Sequence, residues 1–190
     1  MSKLDALKDL LKTLPGAVVA YSGGVDSTLL AYVAHQVLGE RALAVTAVSP
    51  TYPENELTEA KAFVEKFGLT FQIVRTNEFE DRDFLANPPD RCYYCKRELF
   101  VELKTIADAK GYIMLDGANA DDLSDHRPGH RAAHELGVRS PLMEVGMTKA
   151  EIREISKELQ LPTWEKPAYA CLASRIPYGQ TITPEKLGRI

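Results

Sequence analysis

Residues Ser22-Gly23-Gly24-Val25-Asp26-Ser27 stand between two contrasting runs. Before them lies the apolar stretch Ala17-Val18-Val19-Ala20-Tyr21, and after them an amphipathic stretch from Thr28 to Leu38. The first run reads as a buried strand and the second as a helix, so the hexapeptide is the turn between them. Two glycines let such a turn be tight and let its backbone approach a ligand. The helix that follows offers free N–H groups and the positive end of its dipole to an anion, and Ser22 and Ser27 add hydroxyls. Strand, turn and helix together make a phosphate cradle. The pattern is neither G-x-x-x-x-G-K-[ST] nor G-x-G-x-x-G, and it lacks a lysine for a γ-phosphate. A Gly-Gly pair alone is common in plain turns. The whole hexapeptide at a strand–helix junction is far more specific.

The same alternation continues along the chain. An opening helix places Leu4, Leu7, Leu11 and Leu14 on one face and stops at Pro15-Gly16. Ala42–Val48 is a nearly continuous apolar run, suited to a strand buried on both faces. Helix Glu54–Phe67 follows, closed by Gly68 as a left-handed cap. Phe71–Arg75 and Tyr112–Leu115 read as further strands, with a helix Lys96–Lys110 before the latter. Val138–Leu142 reads as a fifth strand. Thr148 and Glu151 form a capping box for a helix ending at Leu161-Pro162. Thr183-Pro184-Glu185 opens a last, very short helix. Alternating strands and helices imply an α/β fold: a mostly parallel, five-stranded sheet flanked by helices. In such sheets ligands bind beyond the carboxyl ends of the strands. The SGGVDS loop, the loop after Val48 and the Asp116–Asp122 loop should therefore meet at one edge. Residues 1–162 form the nucleotide-binding domain in this reading, and 163–190 begin a C-terminal segment expected to continue in a longer natural protein.

Apolar residues make up 45% and charged residues 26% of the 190, ordinary values for a soluble globular protein. The net charge of −4 gives no nucleic-acid footprint, and no apolar run is long enough to span a bilayer. Three cysteines, an odd number without a secretion signal, fit a reducing cytoplasm and thiols kept for chemistry or metal. Cys92-Tyr93-Tyr94-Cys95 is a C-x-x-C motif, and Cys171 lies far downstream. A redox dithiol, a zinc site completed by one of His126, His130 and His134, an iron–sulfur site and three unrelated thiols all remain open on the residues alone.

SGGVDS in its setting resembles the PP-loop of the ATP pyrophosphatase superfamily. Together with Tyr21 before it, with Gly117-Ala118-Asn119-Ala120-Asp121-Asp122 followed by Asp125, Arg127, Pro128 and Gly129, and with Cys171-Leu172-Ala173-Ser174-Arg175-Ile176-Pro177-Tyr178-Gly179, it resembles the LarE family, in family order. These are ATP-dependent sulfurtransferases of nickel-pincer cofactor biosynthesis. The resemblance implies a Rossmann-like PP-loop domain. It implies that ATP sits on Ser22, Gly23, Gly24, Val25, Asp26 and Ser27, with adenine near Val48 at the end of strand two. A carboxylate beside phosphates, as Asp26 would be, calls for a bridging Mg²⁺, and Asp121 and Asp122, at the same edge, are further candidates to hold metal or cofactor. The family's three-cysteine members hold a [4Fe–4S] cluster, here on Cys92, Cys95 and Cys171, whose extra sulfide is the sulfur delivered; zinc ranks behind it. Cys171, Asp26, Ser174 and Arg175 are the implied catalytic residues. Arg127 and Arg131 are weaker phosphate candidates, and Tyr93, Tyr94, Tyr169 and Tyr178 are candidate walls of the sulfur site.

The implied reaction adenylates a carboxylate of pyridinium-3,5-biscarboxylic acid mononucleotide, releases pyrophosphate, and replaces AMP with sulfur. Sulfide or another sulfur donor recharges the site. The implied protein is a cytoplasmic homo-oligomer that engages neither nucleic acid nor membrane. Two alternatives stand beside it: a PP-loop tRNA thiolase, which would want a basic surface, and a non-catalytic module that binds ATP or AMP.

Overall fold

Every strand of the sheet runs in the same direction, which forces each strand-to-strand connection through a crossover. The computed structural model describes residues 2–124, 128–168 and 171–189. Along the chain these form α1 (Lys3–Lys12), β1 (Ala17–Ala20), α2 (Val25–Leu38), β2 (Ala42–Val48), α3 (Glu54–Phe67), β3 (Thr70–Arg75), α4 (Arg82–Leu85), α5 (Arg91–Lys110), β4 (Ile113–Leu115), α6 (Pro128–Glu135), α7 (Pro141–Glu144), α8 (Lys149–Glu158) and α9 (Pro184–Leu187). Short 3₁₀ turns occupy Glu78–Glu80, Ala120–Ser124 and Leu172–Arg175. The strand order is β3-β2-β1-β4, with Ala17 opposite both Ala42 and Ile113, and Leu43 opposite Thr70.

β1 and β2 are central, and their side chains alternate between two cores. Ala17, Val19, Ala42 and Ala44 pack on one face with Leu7 and Leu11 of α1, Leu29 and Leu30 of α2, Phe63 of α3 and Ile152 of α8. Val18, Ala20, Leu43 and Val45 pack on the other with Phe100 and Leu103 of α5 and Ala132 of α6. Burial on both faces explains why these strands read as unbroken apolar runs. Local signals set the helix ends. Ser2 and Asp5 form a capping box for α1, and Thr148 and Glu151 form one for α8. Gly68 closes α3 at φ 67°.

The sheet has four strands among the described residues, not the five expected. The Val138–Leu142 stretch pairs with β4 only at Arg139. That residue's N–H donates to the Met114 carbonyl at 3.0 Å, and its carbonyl accepts from the Asp116 N–H at 2.9 Å. Pro141 has no N–H to extend the ladder and instead occupies the first turn of α7. Gly137, at φ 71°, bends the chain just before. One residue is all that remains between the two.

α5 also begins earlier than the periodicity predicts. It starts at Arg91, so Cys92 and Cys95 lie in its first turns rather than in a loop. A third apolar cluster lies beside that helix end. Phe84 of α4 packs there with Ala173, Ile176, Ile182 and Leu187, and Tyr94, Cys95 and Leu172 border it. α9, too short to be stable alone, is anchored through Leu187. No helix among the described residues is long and apolar enough to cross a membrane.

Candidate active site

The turn after β1 is held by its own serines. The Ser22 N–H donates to Ser27 Oγ at 3.2 Å, the two hydroxyl oxygens are 3.1 Å apart, and Ser27 Oγ is 3.2 Å from the Gly24 carbonyl. Gly23 adopts φ 75°, the left-handed region that favours glycine. Tyr52, from the loop after β2, donates its hydroxyl to the Ser22 carbonyl at 2.9 Å. Burial and the neighbouring Glu56 push that hydroxyl's ionisation upward, so it stays a donor. Gly24 caps α2 and has no side chain to satisfy the first-turn N–H groups. Uncapped N–H groups at a helix start suit an anion. Val25 is buried beneath it. Gly117, just after β4, makes room for the cradle: a Cβ there would lie 3.0 Å from the Ser27 nitrogen and 3.2 Å from its Cα.

Asp26 faces the mouth of this turn, and the structure gives it a partner that sequence reading missed. Lys149, the first residue of α8, places Nζ 2.5 Å from Asp26 Oδ2. Asn119 Nδ2 lies 3.4 Å from the other oxygen. The Lys149 N–H donates to Asp121 Oδ2 at 2.8 Å, which fastens α8 to the Asp116–Asp122 loop. Asp122 is buried and accepts the Asn119 N–H at 3.0 Å, so part of its work is to shape that loop. The hexapeptide carries no lysine, yet packing of α8 against α2 supplies one. The capping box at Thr148 announces a helix start there; nothing local says what its first residue meets.

Val48 ends β2 at the same sheet edge, where its carbonyl accepts the Thr76 N–H at 3.3 Å. Beyond it, Ser49 and Thr51 both donate hydroxyls to Oε1 of Glu78, which is buried. Glu78 Oε2 is buried without a partner. Thr51 also accepts the Leu172 N–H through its carbonyl at 3.3 Å, so the cysteine segment is tied to the nucleotide edge. Lys166, upstream of Cys171, pairs with Glu56 and Glu59 of α3 at 2.7 Å each. Ser174 donates both its N–H, at 3.0 Å, and its hydroxyl, at 2.7 Å, to the Cys171 carbonyl. Ser174 and Arg175 are exposed, in the 3₁₀ turn that follows Cys171.

All three cysteines are free thiols; Cys92 and Cys171 are exposed and Cys95 is half-buried. Cys92 and Cys95 lie in the first turns of α5, and the segment after Cys171 packs beside that helix end through Leu172 and Ala173. Burial and then the charge of Cys171 push the Cys92 thiol up, while Arg91 and Lys96 oppose this. Burial, then Glu78, push Cys95 up to about 12, with Cys171 and Cys92 adding to it. The trio is nonetheless not a preformed metal site: no group of three or more His, Cys, Asp or Glu among the described residues is arranged to hold an ion. Tyr94 borders the cluster near Cys95. Tyr93 turns away to α6, where it donates to Glu135 at 2.6 Å and stacks under Arg131 at 3.8 Å. That contact and its ion pairs with Asp90 and Glu135 occupy Arg131. Tyr178 lies over Arg91 at 5.1 Å. Asp125, His126, Arg127 and Tyr169 lie outside the described residues.

This arrangement links the turn after β1, through Tyr52 and Thr51 of the loop after β2, to the segment that carries Cys171. Known proteins share the fold. The NAD synthase family profile matches residues 3–84, the part that contains the cradle. An NMN synthetase from Francisella tularensis superposes with a TM-score of 0.72 at 18% identity, over 97% of this chain and 82% of that one. That likeness shows the fold. An uncharacterized protein from Synechocystis sp. is 51% identical over 100% of this chain and 71% of its own length. The pyridinium-3,5-bisthiocarboxylic acid mononucleotide synthase of Lactiplantibacillus plantarum is 36% identical over 100% of this chain and 69% of its own. Identity of 36% over the whole of this chain, which spans more than two thirds of that relative, shows that the chain belongs to the LarE family of PP-loop, ATP-dependent sulfurtransferases.

Proposed function

We propose that this chain converts pyridinium-3,5-biscarboxylic acid mononucleotide to its thiocarboxylate. It activates a carboxylate with ATP and replaces the resulting AMP with sulfur. One observation carries the reading. The Thr51–Leu172 hydrogen bond joins the nucleotide edge to the Cys171 segment, so activation and sulfur delivery share one edge.

The cradle N–H groups and Ser22 and Ser27 bind the phosphates beyond the α-phosphorus. The acceptor carboxylate attacks that phosphorus and pyrophosphate leaves. Lys149 exchanges Asp26 for a phosphate oxygen and stabilises charge that grows as the bond to pyrophosphate breaks. Asp26, freed from Lys149, offers a hard oxygen donor suited to Mg²⁺, and the ion would neutralise triphosphate charge. Val48 borders the adenine, and Asp122 holds the loop that carries Asn119. Adenylation turns a poor leaving group, oxide, into AMP, and a sulfur anion then displaces it.

Three thiols suit iron in kind, and the raised ionisation of Cys92 and Cys95 is what a bound cation would reverse. Cys92, Cys95 and Cys171 would hold a [4Fe–4S] cluster, which when bound supplies a sulfide that is not a cysteine's own. Ser174 fixes the carbonyl of Cys171, and Arg175 lies beside it for the acceptor's negative charge. The free thiols fit a reducing cytoplasm, and the acidic net charge favours this reading over a tRNA thiolase. Pyrophosphate release measured with ATP and the mononucleotide tests the proposal. Release that depends on the mononucleotide supports it. Release dependent on tRNA, or none with any acceptor, overturns it.

A further inference from the structure

Asn87 stands outside every role assigned so far, yet both ends of its side-chain amide are engaged. It is fully buried, and its φ of 53° places it in the left-handed region, which asparagine tolerates better than most residues. Its amide nitrogen lies 3.2 Å from the Ile176 carbonyl, 2.8 Å from that of Pro177 and 3.1 Å from that of Gln180. Its Oδ1 accepts from Arg91 Nη1 at 2.6 Å, and its backbone carbonyl accepts the Gly179 N–H at 2.9 Å. The amide has one possible orientation. Arginine only donates and carbonyls only accept, so a flipped amide would set donor against donor and acceptor against acceptor.

These bonds join two distant parts of the chain. On one side is the segment that leaves Cys171. On the other is Arg91, which immediately precedes Cys92 in the first turn of α5. Pro88 and Pro89 link Asn87 to that turn, and their fixed φ angles make the link stiff. Phe84, Ala173, Ile176 and Leu187 also hold the segment, but apolar packing is non-directional and leaves sliding open. Two amide N–H groups shared among the carbonyls of Ile176, Pro177 and Gln180 do not.

We propose that Asn87 is a positioning residue that holds the Cys171 segment in register with the Cys92-x-x-Cys95 turn. The proposal rests on the reading above that the three thiols act together, and it explains how a cysteine so far away in sequence keeps its place. Aspartate cannot substitute, although it has the same shape: it keeps the acceptor for Arg91 but has no donor for the three carbonyls.

The test uses the full chain, metal-free and reduced, with no turnover. A short bis-maleimide is added, and the yield of Cys171 joined to Cys92 or Cys95 is read by peptide mass spectrometry. A mono-maleimide measures each thiol's own reactivity. Asn87→Asp and Asn87→Gly are compared with wild type; glycine keeps the left-handed backbone at ease if the aspartate variant folds poorly. Ile106→Ala, in the opposite core, controls for general destabilisation. The cross-link ratio, corrected for mono-maleimide rates, should fall about tenfold or more in both Asn87 variants through lost effective concentration, and stay unchanged in the control. Equal cross-linking in wild type and the Asn87 variants overturns the proposal. Absence of any such cross-link in wild type overturns instead the reading that the three thiols act together.

Discussion

Lys149→Met separates the two jobs the lysine can hold. Its ammonium pairs with Asp26, with the two side chains 33% and 22% exposed. A pair that solvent reaches this far contributes up to about 1 kcal/mol to folding. Methionine keeps the stem's packing, so the stability change should stay within that bound. A phosphate contact is different. A charge-assisted hydrogen bond is worth about 1.5–3 kcal/mol, so ATP affinity should fall about 10- to 150-fold. Denaturant melts and calorimetric titration with Mg·ATP measure the two quantities independently. The double mutant with Asp26→Asn should restore folding stability towards wild type without restoring ATP binding, since the ion pair is removed whole while the phosphate contact stays lost. ATP affinity unchanged in Lys149→Met would refute the partner exchange and leave Lys149 a structural partner of Asp26. A stability loss of several kcal/mol would refute the premise that the pair is only partly buried.

Other consequences follow from the geometry. Gly117→Ala should cost about 1–3 kcal/mol of stability by overpacking, because its Cβ meets backbone rather than a movable side chain; ATP affinity should fall with it, and a melt that matches wild type would argue against the close approach. Asp26→Ala should abolish pyrophosphate release while leaving the far-ultraviolet circular dichroism of the fold intact; release at the wild-type rate removes Asp26 from the mechanism. Glu151 is held down to about 2, first by Lys3 and then by Thr148 at the cap of α8. A depressed carboxylate stabilises above its ordinary value of about 4.3 and loses that contribution as pH falls towards about 2. Glu151→Gln should therefore flatten the acid limb of a stability–pH curve in that window, and an unchanged limb would contradict the assignment. Cys95, half-buried and pushed up to about 12, should react with a mono-maleimide at neutral pH at least about tenfold more slowly than exposed Cys171; equal rates would contradict the burial that sets it apart.

Much of this protein was legible in its residues taken a few at a time. Apolar runs at Ala17–Ala20 and Ala42–Val48 announce strands buried on both faces, because a side chain every second position must face one core or the other. Capping at Thr148 and the left-handed glycine after Phe67 mark helix ends through hydrogen bonds within a single turn. The cradle is local too: strand, two glycines and a helix start specify an anion site without reference to anything distant. Tertiary structure decided what depends on two distant residues meeting. Val138–Leu142 has the composition of a strand, but the proline that opens α7 leaves one residue to pair with β4. The missing lysine of the cradle comes from α8, far along the chain, because that helix packs its Ile152 into the core beneath α2. Asn87 reads as a turn residue before two prolines; only the folded chain brings the carbonyls after Cys171 to its amide. Backbone pattern is written into neighbouring residues because its hydrogen bonds span a few positions. A site is assembled from side chains whose separation is set by how helices pack on a sheet, and no local spacing encodes that distance.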